Sequence, residues 1–202
     1  MKKIVIATHN SAKKNRYKKL LAKFVKNVLD LDDLNIFDKA IENGNSAEEN
    51  AEIKAKFYAE KSGLPVISED EALYVDFLPE DKQPGVNVRR INGKEEVNDE
   101  QLFTYWEKMI SKVPKEKRTG KWHFACCFTT PDSKAKIITF DRFVMFFYPP
   151  SKIRIPGWPM SSLQGPIVFK KPHSELTEKE KQKLDQDLVK LISKNISEFL
   201  IK

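Results

Sequence analysis

The residues best able to do chemistry in this chain are acids and amines in its first half. The stretch SAEENAEIKAKFYAEKSGLPVISEDEALYVD, residues 46–76, mixes charged side chains with residues typical of buried elements. Glu69 and Asp70 follow a β-branched run, and Glu42 lies shortly before the stretch. Carboxylates that converge from separate segments repel one another unless a cation lies between them, and such oxygen ligands suit Mg²⁺. The acids therefore indicate either a Mg²⁺ site of Glu42, Glu69 and Asp70 or a solvated charged surface.

A second polar group lies in ATHNSAKK, residues 7–14, which begins at the end of the buried strand predicted by KIVIAT and opens a helix. A helix N-terminus presents N–H groups and a positive dipole end, which favours a phosphate. Thr8 and Asn10 would add hydrogen-bond donors, and Lys13 would add a positive charge. Taken alone, the motif is explained more simply as a capped helix with surface lysines. The same alternative applies to Lys54, which lies further along the chain on an Ala-rich helix.

The elements that must position these residues alternate between helix and strand. A capping box of Ser46 and Glu49 begins a helix that Gly63 ends, and a strand over 64–68 then leads to the acid pair. The later pattern predicts three further elements: a helix over 99–110, a hairpin that turns at residues 131–133, and an amphipathic helix over 177–201.

Composition limits the class of protein. The chain has 202 residues, of which 40% are hydrophobic and 32% charged, and this excludes a disordered chain. Its net charge of +7 suits an anionic partner. Because the lysines are scattered and no helix carries a dense basic stripe, we expect no nucleic acid. The charge then indicates either a phosphorylated small molecule as partner or a lysine-rich solvated surface.

Cysteine use and hydropathy indicate a compartment. Cys126 and Cys127 are adjacent on a predicted strand, so they point to opposite faces and are expected to be free, buried thiols. The apolar run at the N-terminus is too short for a signal peptide, and no segment approaches the length of a membrane span. We therefore expect a cytoplasmic protein with no membrane partner.

Taken in order, these motifs resemble the Ham1/RdgB-like inosine triphosphate pyrophosphatase family. The family's Ala-Thr-x-Asn-x-x-Lys is similar to residues 7–13, and its Glu-x-Gly-x-Thr and Glu-Asn-Ala-x-x-Lys-Ala are similar to residues 42–46 and 49–55. Its Leu-Pro strand with an acid pair and Val-Asp is similar to residues 64–76. Its Pro-Gly-x-x-x-x-Arg is similar to residues 84–90. The resemblance therefore covers the first 93 residues.

The resemblance implies an α/β fold in which a central mixed sheet carries two lobes flanking an active-site cleft. It implies a single domain over residues 1–202, with phosphate and metal binding in about 1–93 and base binding and dimerisation in about 94–202. It also implies a Mg²⁺-dependent hydrolase that converts a nucleoside triphosphate to the monophosphate and pyrophosphate, usually as a homodimer.

Residue roles follow from the same resemblance. Glu42 and Asp70, with Glu69 beside them, would hold Mg²⁺, and Asp70 would also orient or deprotonate the attacking water. The implied phosphate-binding residues are Thr8, Asn10, Lys13, Lys54 and Arg90. Lys54, like Asp70 and Glu42, would also be catalytic. The implied substrate-binding residues are Asn50, Lys181 and Trp158. Trp158 could stack on the base or, alternatively, anchor its proline-rich loop.

The second half of the chain departs from the family pattern. The family's Gly-Phe-Gly-Tyr-Asp-Pro, which holds the base, corresponds to SSLQGP at residues 161–166, and its Ser-His-Arg corresponds to Asp-Gln-Asp at 185–187. Asp185 and Asp187 either face the base and favour an amino group or face the solvent. Glu71 adds a carboxylate beside the acid pair. We therefore expect altered base specificity, or alternatively a weak or inactive nucleotide-binding protein on the same fold.

Overall fold

The computed structural model describes residues 3–91, 95–132 and 134–200, which form six strands and five α-helices. The strands are β1 (Lys3–Ile6), β2 (Asn27–Asp30), β3 (Val66–Val75), β4 (Thr119–Thr129), β5 (Lys136–Phe146) and β6 (Gln164–Pro166). The helices are α1 (Ser11–Leu21), α2 (Ala47–Ser62), α3 (Asp99–Ile110), α4 (Glu178–Leu184) and α5 (Gln186–Leu200). Within the described ranges, no helix is long and apolar enough to cross a membrane.

The strands form one mixed sheet in the order β2-β1-β3-β4-β5-β6. β1 is parallel to both neighbours, and Ile6 lies opposite Asp30 on β2 and opposite Ile67 on β3. Six residues connect β4 to its neighbour β5, which is too short for a parallel crossover, so the two form the predicted hairpin. Ser133 in the hairpin turn lies outside the described residues. The predicted mixed-sheet α/β fold is confirmed.

The chain divides into two compact units. The first unit contains Met1–Glu71, Phe124–Phe140 and Asp185–Lys202, and the second contains Ala72–His123 and Asp141–Leu184. Both units therefore combine residues from the two halves of the sequence. The single domain over residues 1–202 stays a prediction.

The core of the first unit forms between α1, the sheet and α5. Tyr17, Leu20 and Leu21 of α1 pack with strand residues such as Ile4, and α5 adds Leu188, Ile192 and Ile196 at intervals of four residues. Residues with this spacing lie on one face of a helix, so α5 covers the core with a continuous apolar stripe. Each fully buried Leu or Ile contributes about 1.5–3 kcal/mol of transfer free energy.

Helix ends follow the sequence signals closely, with one difference. Ser46 accepts a hydrogen bond from the Glu49 N–H and caps α2 as predicted, and Gly63 ends the helix in the left-handed conformation. The Glu49 carboxylate instead accepts the N–H of Asn45 at 2.7 Å, so the predicted capping box is only half formed. The bond to Asn45 anchors the loop that precedes α2.

Two differences from the predicted element boundaries affect the site. β3 continues to Val75, so the acids at residues 69–71 lie inside the strand and not after its end. They nevertheless lie beyond the carboxyl end of β1, because Ile6 pairs with Ile67 and β1 stops there. The predicted final helix is two helices, α4 and α5, which are separated at Asp185. The predicted last residue, Ile201, lies outside the described residues.

Candidate functional site

The loop after β1 is ordered by its own side chains. Oγ1 of Thr8 accepts the N–H of Asn10 at 3.2 Å, and Oδ1 of Asn10 accepts the N–H of Lys13 at 3.0 Å. Asn10 is therefore the N-cap of α1. A small pocket opens beside this loop, and its lining comes from three segments of the first unit: Ile6, Ala7, Thr8, Lys13, Tyr17, Ile67, Ser68 and Glu69.

Lys13 is not an ordinary surface lysine. Its side chain is only 10% exposed, and its Nζ lies 3.5 Å from Oε1 of Glu69 and 3.5 Å from Oε1 of Glu71. Burial by itself would lower the pKa of Lys13, but the negative charges of Glu71 and Glu69 raise it above its usual value. Lys13 therefore stays positively charged beside the pocket.

Glu69 faces α1. Its side chain is 2% exposed, and its Oε2 accepts the Tyr17 hydroxyl at 2.5 Å and lies 3.4 Å from Nη1 of Arg16. Burial raises the pKa of Tyr17 well above its usual value, so the phenol stays protonated and donates this bond. Burial would also oppose the charge on Arg16, but the Glu69 and Asp185 carboxylates raise its pKa instead.

Lys54 lies on the opposite side of the same strand segment. Its Nζ lies 2.7 Å from Oε2 of Glu42 and 3.3 Å from Oδ1 of Asp70, and it donates to the Glu69 carbonyl oxygen at 3.3 Å. An ammonium has three N–H donors, and here they face three oxygen acceptors. Lys54 is 8% exposed, so the surface-lysine alternative does not apply to it.

The predicted trio of Glu42, Glu69 and Asp70 is not assembled. Among the described residues, no group of three or more His, Cys, Asp or Glu side chains is arranged to hold a metal ion. The physical reason is strand alternation, which directs Glu69 towards α1 and the adjacent Asp70 towards Lys54. Glu42 and Asp70 do converge, on one ammonium, and they are two hard oxygen donors of the kind that Mg²⁺ prefers.

Asn50 holds the loop that carries Glu42. Its Oδ1 accepts the N–H of Gly44 at 2.8 Å, and the residue is 4% exposed. A Cβ atom at position 44 would lie 2.6 Å from Cβ of Glu49 and 2.8 Å from Oδ1 of Asn50, so only glycine fits there. The structure therefore gives Asn50 a positioning contact, and its predicted contact with substrate stays a prediction.

Three other predicted ligand residues belong to the second unit, and each has a neighbour there. Arg90 is exposed and donates to Oδ1 of Asn87 at 3.3 Å. The Trp158 ring meets the His173 ring edge-on at 5.2 Å, which is consistent with a loop anchor. Lys181 on α4 pairs with Glu178 at 3.0 Å. Their roles as phosphate, base or substrate ligands stay predictions.

Sequence reasoning did not predict Arg16 or Tyr17 as site residues, and it predicted for Asp185 only a base-facing or solvent-facing orientation. Arg16 and Tyr17 lie three and four residues after Lys13 on α1, and helical spacing could have placed all three on one face. Asp185 gave no such signal, since its Oδ1 lies 2.8 Å from Nη2 of Arg16 across 169 residues of chain. For the two aspartates at 185 and 187, the sequence left open whether they face the base or the solvent. Asp187 faces the solvent with an 87% exposed side chain, whereas Asp185 faces Arg16.

The sequence of this chain is similar to those of known proteins. The model of the Ham1 family matches residues 4–144. The chain is 37% identical over 126 residues to a dITP/XTP pyrophosphatase of Photobacterium profundum, which covers 61% of this chain and 60% of that protein. It is 34% identical over 142 residues to a dITP/XTP pyrophosphatase of Listeria monocytogenes, with 69% and 67% covered. The matched region thus spans about 60% of the first of these relatives and two thirds of the second.

Solved structures extend the similarity over nearly the whole chain. A nucleoside-triphosphatase/dITP/XTP pyrophosphatase from Mycobacterium abscessus superposes with a TM-score of 0.69 at 25% identity, covering 96% of this chain and 98% of that one. A HAM1 protein from Coxiella burnetii superposes with a TM-score of 0.74 at 20% identity, covering 96% and 100%. The second likeness shows the shared fold alone.

Proposed function

Because this chain belongs to the Ham1 family, we propose that it is a Mg²⁺-dependent nucleoside triphosphate pyrophosphatase. Such an enzyme hydrolyses an acid anhydride, and the products would be a nucleoside monophosphate and pyrophosphate. Relatives named dITP/XTP pyrophosphatase support this reaction class. The main support for the proposal is that the Glu42 and Asp70 carboxylates both contact Lys54, next to the loop in which Asn10 caps α1.

The triphosphate would bind at the N-terminus of α1. Lys13 and Lys54 are both at least 90% buried, so their charges are little screened by water and would act strongly on phosphate oxygens. The α1 N-terminus adds the positive end of its dipole, and Thr8 and Asn10 fix the backbone that presents it. These groups would stabilise the negative charge that develops on the phosphate oxygens as the anhydride bond breaks.

Glu42 and Asp70 are the residues that would hold Mg²⁺. Their side chains are 36% and 15% exposed, so both remain accessible while their carboxylates point to a common position. When bound, the ion would neutralise phosphate charge and lower the pKa of a coordinated water. Asn50 and Gly44 contribute by fixing the loop from which Glu42 reaches this position.

Asp70 would orient or deprotonate the attacking water. Its carboxylate is the less exposed of the two, and its Oδ1 lies 3.3 Å from Nζ of Lys54. Glu69 and Glu71 point to the other face of β3, where both form salt bridges with Lys13. Of these three acids, Asp70 is therefore the one whose carboxylate faces Lys54.

We further propose that base specificity is altered relative to inosine and xanthosine triphosphatases. The stretch at residues 161–166 has no aromatic residue or acid with which to hold a base. Ser161 and Ser162 are buried within the second unit, and the Ser162 hydroxyl accepts a hydrogen bond from Arg154 at 2.7 Å. The Asp185 carboxylate pairs with Arg16, so it is already occupied by a guanidinium.

We also propose that the protein forms a homodimer. In the second unit Phe143 and Val168 are 62% and 76% exposed, and Ile167, bonded through its N–H to the Phe143 carbonyl, is 39% exposed. Contiguous exposed apolar side chains favour a protein partner. Light scattering coupled to gel filtration would give a mass of two chains, and a mass of one chain at micromolar concentration would contradict the proposal.

Product analysis tests the proposed reaction. The protein would be incubated with inosine, xanthosine, adenosine and cytidine triphosphates and Mg²⁺, and the products separated by anion exchange. Monophosphate and pyrophosphate in equal amounts are expected. Diphosphate and phosphate would contradict the bond assigned to cleavage. Nucleotide binding without any product would favour the inactive binding protein.

A further inference from the structure

The buried side chains around Glu69 connect the start of α5 to α1, at whose N-terminus the triphosphate would bind. Oε2 of Glu69 accepts the Tyr17 hydroxyl and contacts Arg16, while Oε1 lies 3.5 Å from Nζ of Lys13. Both oxygens of one carboxylate are therefore engaged by α1. This is possible because residues 13, 16 and 17 lie on the same face of that helix.

Arg16 has a second carboxylate partner. Its Nη2 lies 2.8 Å from Oδ1 of Asp185, and the two side chains are 8% and 18% exposed. A guanidinium is a planar, rigid fork, so a partner at one nitrogen fixes the direction of the other N–H groups. Asp185 thereby favours the orientation in which Nη1 of Arg16 faces Glu69, at 3.4 Å.

On the premise of the pyrophosphatase function, we propose that Asp185 is a positioning residue for Lys13 and acts through Arg16 and Glu69. Without the Asp185 charge, Arg16 would keep Glu69 as its carboxylate partner. Arg16 would then compete with Lys13 for the Glu69 carboxylate. A flexible lysine side chain loses rotamer entropy when its Nζ is held in one place. Holding Nζ in place before the phosphate arrives reduces the ordering that binding requires.

Asp187 supplies a matched control for this proposal. Asp185 and Asp187 lie two residues apart at the start of α5, so the same Asp→Asn change can be made in the same local sequence. Asp187 is 87% exposed and pairs with Lys190 at 3.6 Å on the solvent side. Asp187→Asn therefore removes an equal charge from the chain without touching the Arg16 contact.

The test measures the binding of inorganic tripolyphosphate, which has no base, by calorimetry in the presence of Mg²⁺. Asp185→Asn is expected to weaken binding about threefold to tenfold, the scale of a coupled contact, and Asp187→Asn to leave it unchanged. Equal affinities for the two variants would overturn the positioning role. If wild-type protein does not bind tripolyphosphate, the proposed phosphate site itself fails, and this inference fails with it.

A double-mutant cycle separates positioning from a general structural effect. If Asp185 acts through Lys13, Asp185→Asn should change the affinity less than about twofold in a Lys13→Ala background. A loss of the same size in both backgrounds would show that Asp185 only supports the fold. A loss for inosine triphosphate but not for tripolyphosphate would instead place Asp185 at the base, and this too would overturn the proposal.

Discussion

Nζ of Lys54 lies 2.7 Å from Oε2 of Glu42, and this ion pair joins α2 to the loop that precedes it. The pair lies next to Asp70, whose Oδ1 is 3.3 Å from the same Nζ. The lysine is 10% exposed at its side chain and the glutamate is 36% exposed, so the pair is only partly open to water. An ammonium therefore lies where the two proposed metal ligands converge. The arrangement predicts how each of its members should respond to substitution.

Asp70→Asn should abolish most of the activity. The change keeps the shape of the side chain but removes the charge that would hold Mg²⁺ and accept a proton from water. We expect turnover to fall at least about 10²-fold, the scale of a general-base contribution. Asp81→Asn, at an exposed turn of the second unit, is the control. Near-normal pyrophosphate release by Asp70→Asn would rule out the assigned role.

Lys13→Ala and Lys54→Ala should weaken binding of a triphosphate more than binding of the monophosphate. The reason is that each lysine opposes the charge of the additional phosphates. Affinities for the two ligands would be compared by calorimetry, with Lys56→Ala as the control, because Lys56 is 60% exposed on the same helix as Lys54. A lowered melting temperature with equal loss for both ligands would instead assign the lysines to stability.

Gly44→Ala should lower activity through the loop that carries Glu42. The added Cβ would lie 2.6 Å from Cβ of Glu49, so the loop must move and with it Glu42. Gly63→Ala is the control. Gly63 has φ +63, and apart from its chain neighbours no atom lies within 4 Å of an added Cβ, so this change should cost only about 1–2 kcal/mol of stability. Both variants would be compared by melting temperature and kcat/KM, and an unaltered kcat/KM for Gly44→Ala would contradict the loop's role.

Inosine and xanthosine triphosphates should show no large advantage over adenosine or cytidine triphosphates. A base pocket discriminates by hydrogen bonds that a wrong base leaves unmade. The segments that correspond to the family's base-reading residues carry neither its aromatic residue nor its Ser-His-Arg. The measurement is kcat/KM across the four substrates. A preference of about 10²-fold for inosine triphosphate, equal to about 2.7 kcal/mol, would show that the pocket still selects a carbonyl.

Stability should fall as the pH rises above about 9. Burial raises the pKa of Cys126 and of Cys127 from 9.0 to about 12. Between those values the unfolded thiols lose their protons while the folded ones keep them, so the folded state binds more protons and is destabilised by rising pH. The loss approaches about 1.4 kcal/mol per pH unit for each thiol.

Urea unfolding at pH 8 and pH 10 measures this loss. The comparison is with the Cys126→Ala, Cys127→Ala double variant, which should be less stable at both pH values but should show a smaller decrease between them. Equal decreases for the two proteins would contradict the pKa values assigned to the thiols.

Local signals in the sequence determined much of the scaffold. Helix caps and periodicity depend on residues within one turn, and the sequence therefore predicted a capped N-terminus for α1, the end of α2 at Gly63 and the bounds of α3. The same local reasoning predicted two free, buried cysteines. The family motifs pointed to Lys13 and Lys54, and both are buried next to carboxylates.

Only the tertiary structure decided which partners these side chains have. Adjacent acids on a strand face opposite ways, and this separates Glu69 from Asp70 once β3 is known to continue through them. The pairing of Arg16 with Asp185 depends on the packing of α5 against α1. Such a contact arises from apolar burial over the whole first unit, and no pattern of neighbouring residues specifies it.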